Sequence, residues 1–373
     1  MRTLVVSDLH LGARSGSDVL RSARARAPLL EIVSGCQRLV LLGDVLELRH
    51  GPLRDALEAA APVLSELGAA LGADGEVVIV PGNHDHRLLR PWLERRACTP
   101  ARAPLASASE VEYRADDPLG ALARQLAPAQ VRVTYPGLWL RQDVYATHGH
   151  YSDRHNTVPI IERIGSGTMA RLVREPPGGP RRIDDYEATL GTMYAWIDAV
   201  VAARAGGQEL PGGEERAQRS LQVDAWRQLT GRDGRPRPIR RAALSLAFPA
   251  LVWALNRAGL GPLRTDVSGR DLRRGALRGF SESLARLGIA APYVLFGHTH
   301  RAGPLPDDER REWLAPTGSR LFNTGSWVWE SSFLGADPVA SPYRPGFCAL
   351  VQGAGAPELL ALLDEQLSDG FLA

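Results

Sequence analysis

Five short apolar runs in this chain each end in polar residues of unusual chemistry. Thr3–Val6 leads into Ser7-Asp8-Leu9-His10, Leu39–Leu42 into Gly43-Asp44, and Val77–Val80 into Pro81-Gly82-Asn83-His84-Asp85. Further on, Val144–Ala146 leads into Thr147-His148-Gly149-His150, and Tyr293–Phe296 into Gly297-His298-Thr299-His300. Short apolar runs closed by turn residues read as buried strands. Helix-like stretches such as Leu53–Leu71 lie between several of them, and strands alternating with helices imply an α/β sandwich. Function in open α/β sheets gathers at the carboxyl ends of strands, where all five polar clusters sit.

Residues 151–290 break this rhythm. They are rich in Arg, Gly and Pro, with loop signals at Pro176-Pro177-Gly178-Gly179-Pro180 and Pro211-Gly212-Gly213. Helices are expected near Tyr186–Arg204, Ala217–Leu229, Ile239–Arg257 and Leu272–Leu287. The expected organisation is therefore a core in two parts, 1–150 and 291–373, interrupted by a mainly helical, lid-like insertion, 151–290. Strands at Leu321–Asn323 and Phe347–Val351 complete the core, and Leu119–Leu126 reads as a short helix.

Composition narrows the chemistry. All 44 basic residues are arginines, which removes Schiff-base catalysis and the P-loop lysine. A net charge of +2 gives no case for nucleic acid. The three cysteines, Cys36, Cys98 and Cys348, are far apart, which fits a reducing compartment better than a disulfide framework or a structural zinc site. No signal-peptide pattern opens the sequence and no apolar stretch has the length of a membrane span. The expectation is a cytoplasmic protein.

Singly, each strand-end histidine has an ordinary reading as a cap or core residue, and Asp44 as a helix N-cap. Together, two carboxylates, four imidazoles and a carboxamide match the mixed N/O ligand set of a pair of divalent transition metals. The blocks Asp8-Leu9-His10, Gly43-Asp44, Gly82-Asn83-His84-Asp85, His148 and Gly297-His298-Thr299-His300, in that order, resemble the signature of the calcineurin-like metallophosphoesterase superfamily. The likeness covers roughly residues 1–150 and 291–352. It implies a four-layer α-β-β-α sandwich and a dinuclear centre, with Mn2+ expected and Fe or Zn as alternatives. Asp8, His10 and His300 would bind one metal, Asn83, His148 and His298 the other, and Asp44 would bridge them.

Two such ions can share a hydroxide and clamp the phosphoryl oxygens of an in-line displacement. Asn83 would serve as a neutral oxygen ligand that preserves Lewis acidity. His84, whose side chain diverges from its neighbour's, would point toward the leaving group as general acid or as donor to a phosphoryl oxygen. Asp85 is expected to hydrogen-bond the far ring nitrogen of His84 and favour its charged form. His150 and Arg301 are substrate-binding candidates, although His150, like His86, also reads as a solvated loop residue. Asn323-Thr324-Gly325-Ser326 matches a family turn near the site and also reads as a plain strand-end turn.

Ser7–Leu11, Gly43–Leu48 and His298–Arg301 further resemble the UDP-diacylglucosamine pyrophosphohydrolase branch. This chain departs from it at His84, where that branch has Arg, at His150, and in a much longer insertion. A phosphorylated small-molecule or lipid substrate is the expected partner, with peripheral membrane contact through the uncharged run Ala242–Leu255 or, alternatively, that run packed as a lid helix. A nuclease or cyclic-nucleotide phosphodiesterase is the competing enzyme, through Arg21–Arg26 and Arg232–Arg241. A non-catalytic scaffold of the same fold is the competing class.

Overall fold

In the computed structural model of the chain, the described residues are 1–100, 102–157, 161–205, 252–257, 260, 263, 269–335 and 337–369. The helices expected at Ala217–Leu229 and over most of Ile239–Arg257 lie outside them, as do Arg232–Arg241 and residues 242–251 of the uncharged run. Residues 252–257 are helical. Among the described residues, no helix is long and apolar enough to cross a membrane. The chain divides into two compact units: Met1–His150 with Tyr194–Gln208 and Ile289–Ala373, and Tyr151–Met193 with Glu209–Gly288.

The first unit is an α/β sandwich with two sheets. Its strands are β1 (Thr3–Val6), β2 (Arg38–Leu42), β3 (Glu76–Val80), β4 (Ser109–Glu110), β5 (Gln130–Tyr135), β6 (Gly137–Arg141), β7 (Val144–Thr147), β8 (Tyr293–Phe296), β9 (Arg320–Asn323), β10 (Phe347–Val351) and β11 (Glu358–Ala361). One sheet has the order β11-β10-β1-β2-β3-β5-β4 and the other β6-β7-β8-β9. Strands β1, β2, β3 and β5 run parallel, as do β7, β8 and β9.

Central strands covered on both faces read as unbroken apolar runs, and side chains alternate between those faces. Leu4, Val6, Leu39, Leu41, Val77 and Ile79 face helices α1 (Ala23–Ser34), α2 (Leu53–Leu71) and, after α3 (Arg90–Ala97), α4 (Pro118–Gln125). Val5, Val40, Leu42, Val78 and Val80 face the other sheet, through Leu138, Val144, Ala146 and Leu295. Helix α2 answers with Ala56, Ala60, Val63, Leu64, Leu67 and Leu71 at helical spacing. Each fully buried aliphatic side chain of this kind contributes about 1.5–3 kcal/mol.

The second unit is helical where described. It contains α5 (Ile161–Leu172), α6 (Ile183–Tyr186), a π-helical turn at Glu187–Gly191, the start of α7 (Thr192–Ala205), and α8 (Gly269–Arg286). Several of its buried polar groups are paired. Arg154 bridges to Glu175 at 2.5 Å, Tyr151 stacks on Tyr186, and His155 Nε2 lies 2.6 Å from the Tyr186 hydroxyl.

Candidate metal centre

Parallel pairing continues past the strand ends and sets the loops level with one another. Asp8 N–H donates to Gly43 O at 3.0 Å, His10 N–H to Asp44 O at 2.9 Å, and Gly297 N–H to His148 O at 3.0 Å. Trp327 N–H donates to Asp8 O at 3.0 Å, joining the loop after β9 to the loop after β1. Asp8, His10, Asp44, His298 and His300 all adopt the left-handed backbone, with φ between 45° and 68°. That conformation is uncommon outside glycine and is held only where surroundings enforce it. A side chain at Gly82 would run into the Asp44 carboxylate and the His148 ring, and one at Gly297 into Asp8 and Ser7.

The donors converge in two groups. His300 Nε2 lies 3.3 Å from Asp8 Oδ1 and 3.1 Å from His10 Nε2. Asn83 Oδ1 lies 3.0 Å from His148 Nε2 and 3.1 Å from His298 Nδ1. Asp44 Oδ2 stands between them, 3.7 Å from His10 Nε2 and 3.3 Å from His148 Nε2. The donor atoms of Asp8, His10 and His300, and those of Asp44, His148 and His298, each fall within 4.8 Å of one another. So do those of His10, Asp44 and His84.

This arrangement fits divalent ions. Burial lowers His10 and His148, yet carboxylates outweigh it and hold them at about 9 and about 10: Glu47, Asp44 and Asp8 for His10, Asp44 and Asp8 for His148. Burial raises the Asp44 carboxyl, but His148, His84 and His10 keep it well below the usual carboxylate range. The field thus collects positive charge at buried N and O donors, and metal binding displaces protons from such ligands.

Glu47 is the site residue that the motif blocks leave without a role. It is buried, and its Oε2 lies 2.9 Å from His10 Nδ1 and 2.8 Å from His84 Nδ1. Burial raises its carboxyl, but His84 and His10 hold it well below the usual range. A carboxylate behind a ligating imidazole fixes its tautomer and orientation. The only sequence signal is its place three residues after Asp44, on the same turn.

Three expected roles change. Asp85 does not meet the His84 ring. Its carboxylate accepts the N–H groups of Gly82 at 2.6 Å and Val45 at 2.7 Å, pinning the loops after β2 and β3 together. Burial, with Asp44 nearby, pushes it up to about 6. His84 is not held charged: burial and the Arg49 guanidinium push it down to about 4 against the pull of Glu47, although its side chain is 22% exposed. Arg301 is committed elsewhere, because a desolvated guanidinium takes a planar partner. It bonds both oxygens of Asp308 at 2.9 and 2.5 Å and lies over Trp313.

His150 and His86 are buried rather than solvated. His150 stacks on Tyr135, with Nε2 3.1 Å from its hydroxyl, and lies beside His148. His86 lies against Tyr135 and Tyr194. Asn323 is more than a strand-end turn residue. Its Nδ2 donates to Gly297 O at 2.9 Å and to Thr299 Oγ1 at 2.8 Å, bracing the His298–His300 loop.

Paired nitrogen and oxygen donors at the strand ends of an α/β sandwich are the class of site that two-metal hydrolases use. The sequence pattern of the calcineurin-like phosphoesterase family matches residues 1–188, half of the chain, and the chain belongs to that family. No curated protein matches it. Among solved structures, the chain is similar to a dimetal phosphatase from Danio rerio, with 13% identity, 97% of this chain and 99% of that one covered, and a TM-score of 0.31.

Proposed function

We propose that Asp8, His10 and His300 hold one ion, Asn83, His148 and His298 a second, and that Asp44 bridges them in a phosphoesterase acting on a phosphate ester or pyrophosphate. One observation carries this reading: a single carboxylate oxygen of Asp44 stands within 4 Å of an imidazole from each donor group. The donor set is all nitrogen and oxygen with no thiolate, which suits Mn2+ ahead of softer-ligand sites. When bound, the ions polarise the phosphoryl group and activate water.

His84 acts on the leaving-group side. With Nδ1–H donated to Glu47, its other nitrogen faces the task of proton transfer. An arriving phosphate dianion favours the imidazolium and so restores the donor that the free site lacks. Asp85 keeps the two loops in register, so that Asp44 and Asn83 stay within reach of His148. The uncharged run Ala242–Leu255 between flanking arginines supports a lipid-linked substrate and peripheral contact at a membrane, and the three scattered cysteines support action in the cytoplasm.

The test is a screen of phosphomonoesters, diesters, nucleotides and lipid phosphates with Mn2+, Fe2+ or Zn2+ added to metal-stripped protein, alongside elemental analysis. Two equivalents of metal and turnover of at least one ester class are expected. Two bound equivalents with no hydrolysis of any class would leave a scaffold, and the enzymatic reading would fall.

A further inference from the structure

Helix α7 begins in the second unit, and Tyr194 is the residue at which it joins the first. The π-helical turn Glu187–Gly191 immediately precedes it. Such a turn closes i→i+5 bonds and so rotates the face presented by the residues that follow. Tyr194 is buried. The His86 ring lies 5.2 Å from its ring, and the His150 ring lies 5.9 Å away, edge-on at 71°. The Arg49 guanidinium is 5.9 Å from the ring centre, within cation–π range.

These three neighbours come from three different loops of the centre. Arg49 follows β2 in the loop that carries Asp44, and its N–H donates to Glu47 Oε1 at 2.9 Å. His86 opens the short 3-10 turn His86–Leu89, directly after the Asn83–Asp85 loop. His150 follows β7 in the loop that carries His148, with the two rings 5.6 Å apart. Its Nε2 lies 3.1 Å from the Tyr135 hydroxyl. Asp85 ties the first two loops together, and the Tyr194 ring packs against all three. The seat of Asp8, His10 and His300 has supports of its own, in Trp327 N–H on Asp8 O and in Asn323 beneath the His298–His300 loop.

We infer that Tyr194 is a positioning residue of the metal centre: its ring sets the spacing of the loops that carry Asp44, Asn83 and His148, and so the reach of Asn83 and His148 to the ion they share with Asp44. The inference rests on the two-ion reading and adds to it a residue from outside the motif blocks. The ring acts as a wedge, through its faces and edges, and not as a ligand. A stiff aromatic ring suits that task, because a functional constellation must be held within about 0.5 Å and a buried ring has few ways to move. The effect falls on one seat, since the other is braced separately.

The test titrates metal-stripped protein with Mn2+ by calorimetry and reads the loaded protein by electron paramagnetic resonance, in which two ions sharing a ligand couple and isolated ions do not. Tyr194→Leu, which keeps an apolar side chain and loses the ring, weakens one equivalent roughly 10–100-fold, the usual cost of losing support behind a ligand, and leaves the other unchanged. At loadings where the wild type shows a coupled pair, the variant shows isolated Mn2+. Tyr194→Phe restores both measures. Melting of the metal-free protein shows whether Tyr194→Leu is folded; if it is not, Arg49→Met, which keeps the ring and removes one of its three contacts, carries the same prediction. Wild-type binding of both equivalents in the folded variant, equal weakening of both, or failure of Tyr194→Phe to restore the pair overturns the inference. A wild-type protein that takes up fewer than two equivalents would bring down the two-ion reading, and the inference with it.

Discussion

The donor group around Asp8 and the one around Asn83 face each other across the Asp44 carboxylate, yet they differ in charge. The first has a carboxylate of its own, Asp8, and a second behind it, Glu47, on His10 Nδ1. The second pairs two imidazoles with a neutral carboxamide, and His148 Nδ1 lies 3.0 Å from a backbone oxygen, that of Leu42. An anionic seat holds a cation tightly and dulls its acidity, while a neutral seat leaves the ion sharper and easier to lose. His84 stands on the anionic side, its ring 4.6 Å from that of His10 and sharing Glu47. On the proposed assignment, the side with the extra carboxylates is the fixed one and also carries His84, the proposed leaving-group residue, while the other is the freer side.

The largest effect should come from removing the group the two sides share. Asp44→Ala is expected to lose metal from both seats and reduce turnover to background. Elemental analysis finding two retained equivalents with normal turnover would break the bridging assignment. Next comes His84→Ala, expected to keep both metals and lose about 10²–10⁴-fold in turnover, the usual share of general acid catalysis. Nitrophenyl esters should suffer less than alkyl esters. Equal losses on both would mean that His84 serves a phosphoryl oxygen instead.

Glu47→Gln probes the fixed side alone. Loss of a carboxylate behind a ligand typically costs about 10–100-fold in metal affinity or activity, and here one equivalent of metal should weaken while the other holds. Metal titration showing both seats weakened alike would erase the asymmetry. The smallest effect is one of order. A graded chelator should strip one equivalent before the other, and Asn83→Asp should narrow the gap between the two steps. Simultaneous release in both proteins would show that the charge difference does not govern affinity.

Much of the scaffold was legible because its strands are covered on both faces. Tyr293–Phe296 and Phe347–Val351 coincide with the apolar runs that announced them, and Leu53–Leu71 with its helical periodicity. Strands β5, β6 and β11 gave no comparable signal, because Gln130, Arg132 and Thr134 break up the apolar residues of β5, and β6 and β11 each hold only three consecutive apolar residues. Helix α5 was hidden by Gly165 and Gly167 within it. In the site, residues meeting at strand ends could be gathered from order alone, since strand direction decides where they converge.

Partners chosen by side-chain direction could not. Asp85 follows His84 in sequence but turns to the amides of Gly82 and Val45, while Glu47 arrives from another loop. Arg301 follows His300 and turns away to Asp308. Adjacent residues on a tight turn point apart, so neighbourhood in sequence is a poor guide to hydrogen-bond partners.

The five left-handed residues of the centre carry a consequence for how this protein varies. Each non-glycine in that conformation costs on the order of 1–2 kcal/mol, and here the strained positions are Asp8, His10, Asp44, His298 and His300. Glycine would relax every one of them. A duplicated copy freed from its chemistry would drift toward glycine at these five places first. Conversely, His10→Gly and His300→Gly are expected to raise the melting temperature of the metal-free protein while abolishing metal uptake. A lowered melting temperature in both would mean that the histidine side chains stabilise the fold by more than their backbone costs.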